Sequence, residues 1–319
     1  MNTRLSLSIA LASYNGERYI SEQLDSIARQ TRLPDELIIS DDASNDATRA
    51  IVLDFAQRAS FPVLLRTNSE RLGSTRNFEV AIRACSGDII FLCDQDDVWY
   101  PDKLAFIERR FLSNTGAGAV FTDGDVVDQD LHPLGVQLWK VFKFGLKNQA
   151  RIAAGDALGV LLKRPVVTGA TMAFRSIYRD LVLPLPNMWH DAWIALLIGA
   201  VSRLDTVRMP LIAYRQHGAN QLGIPRRGRN RNKTCATIYG PQVSYYEAAR
   251  TRLLEVGNRF PISEQKIRCL YEALIFLRAR AALPDARWRR LTGTLHELVV
   301  LRYHRYAFGL SSFCKDLMR

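Results

Sequence analysis

A five-residue apolar run, Ile89-Ile90-Phe91-Leu92-Cys93, leads directly into three carboxylates within four residues, Asp94, Asp96 and Asp97. No other feature of the 319-residue chain restricts its fold as strongly. A short unbroken apolar stretch bounded by polar residues reads as a buried strand. Pro101 suits the first turn of a following helix, where its missing N–H would have had no intrahelical partner. The acids therefore occupy a loop just past the C-terminal end of a strand, the place where open α/β sheets bind ligands. Three such carboxylates repel one another unless a cation lies among them. Oxygen donors favour Mg²⁺ or Mn²⁺, commonly held by one or two carboxylates together with substrate phosphates. A solvated turn capping the next helix is the competing reading, although capping needs only one acid.

The segments on either side repeat the same alternation. Leu5–Ser13 reads as a first strand, broken by Tyr14-Asn15-Gly16 and followed by a helix with Tyr19, Ile20, Leu24 and Ile27 near the 3.6-residue period. Leu37–Ser40 is a second strand ending in Asp41-Asp42, with Ser44 placed to cap a helix carrying Ile51, Leu53 and Phe55. Val63–Leu65 is a third strand. Gly73–Ala84 is the helix leading into the acid loop, and Gly118–Asp123 is a later strand. Strands alternating with helices predict βαβ units: an α/β fold with a mainly parallel sheet sandwiched by helices. Two further loops then fall at strand ends beside the acids. Tyr14 offers a ring on which a nucleobase stacks, and Asp42 a carboxylate that accepts the imide N–H of uracil or thymine. The plainer alternative is a half-buried aromatic and an ordinary turn acid. Neither GxGxxG nor GxxxxGK[ST] is present, which excludes the usual dinucleotide and P-loop signatures.

Taken in order, Ala12-Ser13-Tyr14-Asn15, Asp41-Asp42-Ala43-Ser44-Asn45-Asp46 and Asp94-Gln95-Asp96-Asp97 with Trp99-Tyr100-Pro101-Asp102-Lys103-Leu104 resemble a family 2 glycosyltransferase over residues 5–223. That resemblance implies the GT-A fold, a nucleotide-sugar donor and transfer with inversion. It implies that Ala12, Tyr14, Asn15 and Asp42 line the nucleotide. Ala12 stands where some members carry a hydroxyl residue, so any base contact from that side chain is lost. Asp94, Asp96 and Asp97 match the loop that holds ribose and metal. Inverting transfer needs a group that takes the acceptor hydroxyl's proton, and the resemblance places it at Asp191, in Trp189-His190-Asp191-Ala192-Trp193. From the residues alone Asp191 equally reads as a helix cap. His190 would orient it or line the acceptor site. Trp189 and Trp193 are open to sugar stacking or to core packing, and Thr168-Gly169 to facing donor and acceptor or to a buried strand spanning Val166–Phe174. The run Tyr214-Arg215-Gln216-His217 resembles the end of the transferase core in bacterial rhamnosyltransferase-like surface-polysaccharide enzymes. There His217 would reach the metal or diphosphate and Arg215 the phosphates, a bidentate contact that suits its geometry. A structural hydrogen bond is the alternative for His217.

Charge is unevenly spread. Through Asp125 there are 13 basic against 19 acidic residues, whereas from Arg226 onward there are 19 against 7. The acidic front suits a cation and a nucleotide; the basic back suits an anionic partner such as phospholipid. The division read from sequence is a transferase domain over 1–223, a basic linker over 224–243 containing Arg226–Lys233, and a C-terminal α-helical extension over 244–319. Residues 128–163, with Trp139, Phe142 and Phe144 in no clear period, read as an acceptor-side insertion. Arg278, Arg280, Arg287, Arg289, Arg290, Arg302 and Arg305 decorate the helical tail, which would lie on a membrane, pack on the core or form a homodimer. Few aromatics accompany those basic residues, which argues against a stacking nucleic-acid binder. Five scattered cysteines without a CxxC pair, no signal-peptide pattern and no run of about 18 apolar residues point to a cytoplasmic protein, peripheral on the inner face of the plasma membrane. The activity expected is metal-dependent transfer from dTDP-rhamnose or a UDP-sugar to a lipid-linked surface glycan. A nucleotidyltransferase and an inactive transferase-like binder are the rivals; the loop Ser13–Arg18 lacks the Gly-rich or Lys-bearing character typical of the first.

Overall fold

A computed structural model describes residues 4–218 and 234–318. The chain divides into two compact units, Met1–Gly155 with Val166–Ile224, and Asp156–Pro165 with Pro225–Arg319.

The first unit is built on one sheet. Its strands are β1 (Leu7–Ser13), β2 (Glu36–Asp41), β3 (Val63–Thr67), β4 (Ile89–Asp94), β5 (Val98–Trp99), β6 (Ala117–Val127), β7 (Pro133–Gln137), β8 (Met172–Arg175) and β9 (Arg203–Arg215). Their spatial order is β3-β2-β1-β4-β8-β6-β9-β5, with β7 beside β6. β3, β2, β1 and β4 are all parallel, β8 runs antiparallel between β4 and β6, and β6 and β9 are again parallel. β1, β2 and β4 are buried at nearly every position, as strands covered on both faces are, and their middles are correspondingly apolar. The main helices are α1 (Ile20–Ala28), α2 (Thr48–Arg58), α3 (Ser74–Ala84), α4 (Lys103–Ser113) and α5 (His190–Val201).

Register decides where the site forms. Ser13 pairs with Asp41 and Ala12 with Asp94, so β1, β2 and β4 end at one level. The three loops singled out in the sequence therefore leave the sheet from the same edge.

Several local readings change. Ser44 does not cap α2, which begins at Thr48 after Ala47; its hydroxyl is held instead by Asp41, at 2.5 Å. The strand read as Gly118–Asp123 continues to Val127. Trp139 and Phe144 are not insertion residues on a surface. They are buried and pack edge-on against each other and around Phe121, forming an aromatic cluster at the foot of β6. The span Val166–Phe174 is strand only from Met172; a 3₁₀ turn, Gly169–Thr171, precedes it.

The second unit is helical: Ala157–Leu161, α6 (Cys235–Glu255), α7 (Glu264–Ala281), α8 (Leu291–Val299), and two short helices, Arg302–Tyr306 and Leu310–Met318. α6 starts well before the expected position. Thr234 accepts from the Thr237 N–H as its N-cap, and residues 235–243, read from sequence as part of the linker, are helical, with Pro241 inside the helix. The Arg226–Lys233 run lies outside the described residues. Arg280 and Arg290 are not surface decoration either. Arg280 Nε donates to Asp316 Oδ2 at 2.7 Å, and Tyr239 and Tyr303 donate to the same carboxylate at 2.6 and 2.9 Å. Arg290 donates to the Asp316 carbonyl at 3.0 Å. Asp316 is wholly buried, so removing it strands a buried guanidinium. Asp316→Ala is expected to destabilise this unit by about 3–5 kcal/mol, read as a lower urea midpoint. No helix among the described residues is long and apolar enough to cross a membrane.

Candidate active site

The floor of the site is a set of cross-tied loops. Asp41 is buried and accepts from Ser13 Oγ (3.1 Å) and from the Ser44 N–H (2.9 Å). Asn77 Nδ2 donates to the carbonyls of Ser13 and Ser40. The Asn15 N–H reaches Ser44 Oγ and Asn15 Oδ1 accepts from the Asn45 N–H, at 2.9 and 3.0 Å. Asn15 itself has φ 44°, the left-handed region that Asn enters more readily than most residues. Gln95 ties this floor to the acid loop. Its Oε1 accepts from the Tyr14 N–H at 2.8 Å and its Nε2 donates to the Tyr14 carbonyl at 3.0 Å. A Cβ on Gly16 would stand 2.3 Å from that same Oε1, so the clamp depends on glycine there. Ala12 lies half-buried at the end of β1.

Tyr14 presents its ring beneath Arg71, whose guanidinium lies 4.1 Å from the centroid, a cation–π contact. Asp42 is less open than its sequence position suggested. It is 1% exposed and already accepts from Asn68 Nδ2 (3.0 Å), the Leu72 N–H (2.7 Å) and the Gly73 N–H (2.8 Å). A carboxylate has about four acceptor positions, so one remains; the rest fix the 68–73 loop beside Tyr14.

The acid loop carries more charge than it neutralises. Asp97 is buried; its Oδ1 accepts from the Arg215 N–H at 3.0 Å, while its Oδ2 is buried without a hydrogen-bond partner among the described residues. Burial, then the charges of Asp96 and Asp94, push the Asp97 carboxyl well above its usual range. Asp94, half-buried at the end of β4, is pushed up to about 7 by burial, then by Asp96 and Asp191. Asp96 Oδ2 lies 2.8 Å from His217 Nε2, and the His217 ring packs 4.6 Å from that of Tyr19. Beneath them is a residue that the sequence reading quoted without assigning, Lys103. It is fully buried, its Nζ donates to the Ala170 carbonyl at 2.5 Å and lies 3.9 Å from the Trp99 ring centroid. Burial lowers its pKa to about 7, against the opposing pull of Cys93, Asp97 and Asp94. Tyr214 belongs here too: burial and then the fields of Asp97, Asp94, Asp96 and Asp191 raise its hydroxyl.

Asp191 closes the site from α5. Its Oδ1 accepts from the Ala192 N–H at 2.7 Å and its Oδ2 from the Gly169 N–H at 3.2 Å. The N-cap position of α5 is Trp189, with no side-chain cap bond, so capping does not account for Asp191. Thr168 supplies the carbonyl that anchors the turn, accepting from the Thr171 N–H and hydroxyl. His190 stacks on Phe78 at 4.1 Å, and its Nε2 is buried without a hydrogen-bond partner among the described residues. A Cβ on Gly169 would lie 3.0 Å from that nitrogen and 3.5 Å from Asp191 Cβ; the glycine permits the close approach.

Two expected site residues turn out otherwise. Trp193 is 3% exposed and donates through Nε1 to the Val182 carbonyl at 2.7 Å; it is core, whereas Trp189 is exposed. Arg215 is 1% exposed, and its guanidinium donates to the carbonyls of Asp96 (2.7 Å) and Gln129 (2.6 Å) and pairs with Glu22. It braces the acid loop from behind instead of facing phosphates.

Metal-ligating atoms also meet where sequence reasoning did not look. Among the described residues, Asp128, Asp130 and His132 bring theirs within 4.8 Å of one another in the turn between β6 and β7. There Asp128 Oδ1 already accepts from the N–H groups of Asp130 and His132, and Asp130 and His132 are exposed.

The profile described as glycosyl transferase family 2 matches residues 8–160. An uncharacterised glycosyltransferase of Nostoc is 25% identical over 228 residues, 68% of this chain and 66% of its own length. An Escherichia coli UDP-Glc:alpha-D-GlcNAc-diphosphoundecaprenol beta-1,3-glucosyltransferase is 30% identical over 142 residues, 43% of this chain and 55% of its own. The chain thus spans less than two thirds of these relatives. Among solved structures, a mannosyltransferase from Pyrobaculum calidifontis in complex with GDP-Man and Mn²⁺ aligns with a TM-score of 0.54 at 20% identity, covering 94% of this chain and 75% of that one. The likeness supports the GT-A fold expected from the sequence motifs.

Proposed function

We propose that this chain, whose residues 8–160 match the glycosyl transferase family 2 model, is a family 2 enzyme that transfers a sugar, with inversion, from a pyrimidine nucleoside-diphosphate sugar to a hydroxyl of a lipid-linked glycan. The observation that carries this reading is the convergence of Asp94, Asp96, Asp97 and Asp191 at one sheet edge, with a buried carboxylate oxygen of Asp97 lacking a hydrogen-bond partner among the described residues.

In this reading the base stacks on the Tyr14 face opposite Arg71, with Asn15 and Ala12 shaping the pocket. The remaining acceptor position of Asp42 takes the imide N–H. Asp96, paired with His217, and Asp97 would hold a divalent cation, Mn²⁺ or Mg²⁺, with Asp94 on the ribose side. The donor set fits, since such ions take one or two carboxylates and complete their shell with phosphate and water; three converging protein ligands are not required. When bound, the ion neutralises charge on the departing nucleoside diphosphate. The 128–132 turn is the poorer candidate because Asp130 and His132 are exposed and Asp128 is spent on its own turn. Lys103, anchored to Ala170, offsets part of the acid charge and links that loop to the Gly169 turn. Asp191 takes the proton of the attacking acceptor hydroxyl, and His190, Thr168 and Trp189 line the acceptor side.

The E. coli relative is named for a UDP-glucose donor and a diphosphoundecaprenol acceptor, which supports a UDP-sugar over dTDP-rhamnose and a lipid carrier for the acceptor. Such an acceptor places the reaction at an anionic membrane surface on the cytoplasmic side. A thermal-shift panel of UDP, TDP, GDP and ADP, each with and without Mn²⁺, tests the donor. Stabilisation by a pyrimidine diphosphate that needs Mn²⁺ is expected; stabilisation by none of them would remove the proposal. Release of a nucleoside diphosphate, rather than pyrophosphate, separates it from a nucleotidyltransferase.

Gly169→Ala tests the packing between turn and base. The added methyl has to displace the His190 ring, next in sequence to Asp191, by tenths of an ångström, and it comes into van der Waals contact with Asp191. The expected result is a loss of about tenfold to a hundredfold in kcat, with stability lowered by only about 1 kcal/mol.

A further inference from the structure

α8 and the 3₁₀ turn before it, Arg287–Arg290, are packed inside out. Arg290, Thr294 and Glu297 are the buried residues. Arg290 donates to the carbonyls of Pro284, Asp285 and Asp316, Thr294 to that of Arg290, and Glu297 pairs with Arg302. The opposite face is apolar and exposed: Trp288 is 76% exposed, Leu291 52%, Leu295 48% and Val299 72%. Steps of three, four and four residues put these side chains in one stripe along the helix. Single exposed apolar residues are ordinary; a contiguous stripe marks an interaction surface.

What flanks the stripe selects the partner. Arg287, Arg289 and Arg305 are exposed, and Arg289 lies over the Trp288 ring at 4.8 Å. Of the acids in this part of the chain, Glu297 is withdrawn into its pair with Arg302 and Asp316 lies beneath Arg280 and two tyrosines, so that only Asp285, before the turn, is exposed against the three arginines. An apolar stripe edged by three exposed arginines against one exposed acid is complementary to a bilayer surface carrying anionic headgroups. A Trp and branched side chains would enter the acyl boundary while guanidinium groups meet phosphate. The helix is too short and too polar on its inner face to span.

We propose that the face formed by Trp288, Leu291, Leu295 and Val299 with Arg287, Arg289 and Arg305 docks this chain on anionic lipid bilayers as an interfacial anchor. This names the surface through which the membrane part of the preceding reading would act, yet it stands on the helical unit alone.

The test is co-sedimentation of the full chain with vesicles of phosphatidylcholine alone and with about one third phosphatidylglycerol. Expected are binding to the anionic vesicles only, a blue shift of Trp288 emission that is absent in Trp288→Phe, and at least a tenfold loss of binding in the double variant Leu291→Glu/Leu295→Glu. Arg287→Glu/Arg289→Glu should lose binding and most of its salt dependence. Because all four positions are exposed, unchanged circular dichroism and melting are required of each variant. Equal sedimentation of wild type and Leu291→Glu/Leu295→Glu would overturn the proposal. So would a dimer, seen by sedimentation equilibrium, that this variant dissociates, since the stripe would then belong to a second copy. UDP and Mn²⁺ binding measured on the same variants keeps the outcomes separate: docking can fail with donor binding intact, and the reverse.

Discussion

Asp191→Asn is expected to bind donor and divalent cation as the parent does and to lose transfer by about a hundredfold to ten-thousandfold, the range for removing a positioned general base. Both carboxylate oxygens are held by single backbone N–H groups, Ala192 on Oδ1 and Gly169 on Oδ2. Two such contacts fix the group's orientation and leave acceptor capacity on each oxygen. An amide keeps the size but can satisfy only one of the two N–H donors, and it cannot take a proton at neutral pH. A purely structural Asp in the first turn of α5 would predict something else: a loss of about 0.3–1 kcal/mol through the helix dipole with turnover unchanged. Single-turnover transfer, set beside a calorimetric titration of donor, separates the two. Near-normal turnover would exclude Asp191 as the base.

What could be read in advance followed from local chemistry. The strands Leu7–Ser13, Glu36–Asp41 and Ile89–Asp94 each carry a short apolar core (Ile9–Ala12, Leu37–Ile39 and Ile89–Cys93) with polar residues mostly at their ends, and parallel pairing brings those ends together. The acid loop was legible for the same reason, since three carboxylates at a strand end have few structural uses. The errors share a different cause. Arg215 and Trp193 sit in runs that look functional, and only tertiary contacts show that one is braced by Glu22 and Gln129 and the other tied to Val182. Lys103 lies four residues past a Trp on a helix start and carries no periodic signal; its burial beneath Asp94 and Asp97 depends on the β4–β8 neighbourhood. Gln95 stands between the acids and reads as a spacer until its amide is seen clamping both backbone groups of Tyr14. The periodicity of the tail left open whether its leucines face a membrane, the core or a second copy, and so did not show the α8 stripe as exposed. Instead it buries Arg290 and Glu297, which require partners from Asp316 and Arg302 that no local pattern announces. Sequence periodicity shows that a helix is amphipathic, but not which face is inward.

Asp97→Asn is expected to abolish the Mn²⁺-dependent part of donor binding while leaving the ligand-free protein as stable as the parent or more so. The two effects have opposite signs for one reason. Asp97 is buried, one of its oxygens has no hydrogen-bond partner among the described residues, and Asp96 and Asp94 stand close enough to raise its pKa. Without a cation that carboxylate costs stability, because burying an uncompensated charge is unfavourable. The amide keeps an acceptor for the Arg215 N–H, removes the like-charge repulsion and turns its N–H donors toward the neighbouring carboxylates. Once a cation and a diphosphate are present, the same carboxylate becomes a ligand, and its absence cannot be made up by Asp96 alone. The parent should therefore melt lower than the variant without ligands and higher with UDP and Mn²⁺, the two melting curves exchanging order on addition. A carboxylate kept only for folding would lower the melting temperature in both states. Unchanged calorimetric affinity for UDP with Mn²⁺ in Asp97→Asn would remove the cation from this loop and leave the exposed turn at Asp128, Asp130 and His132 as the place to look for it.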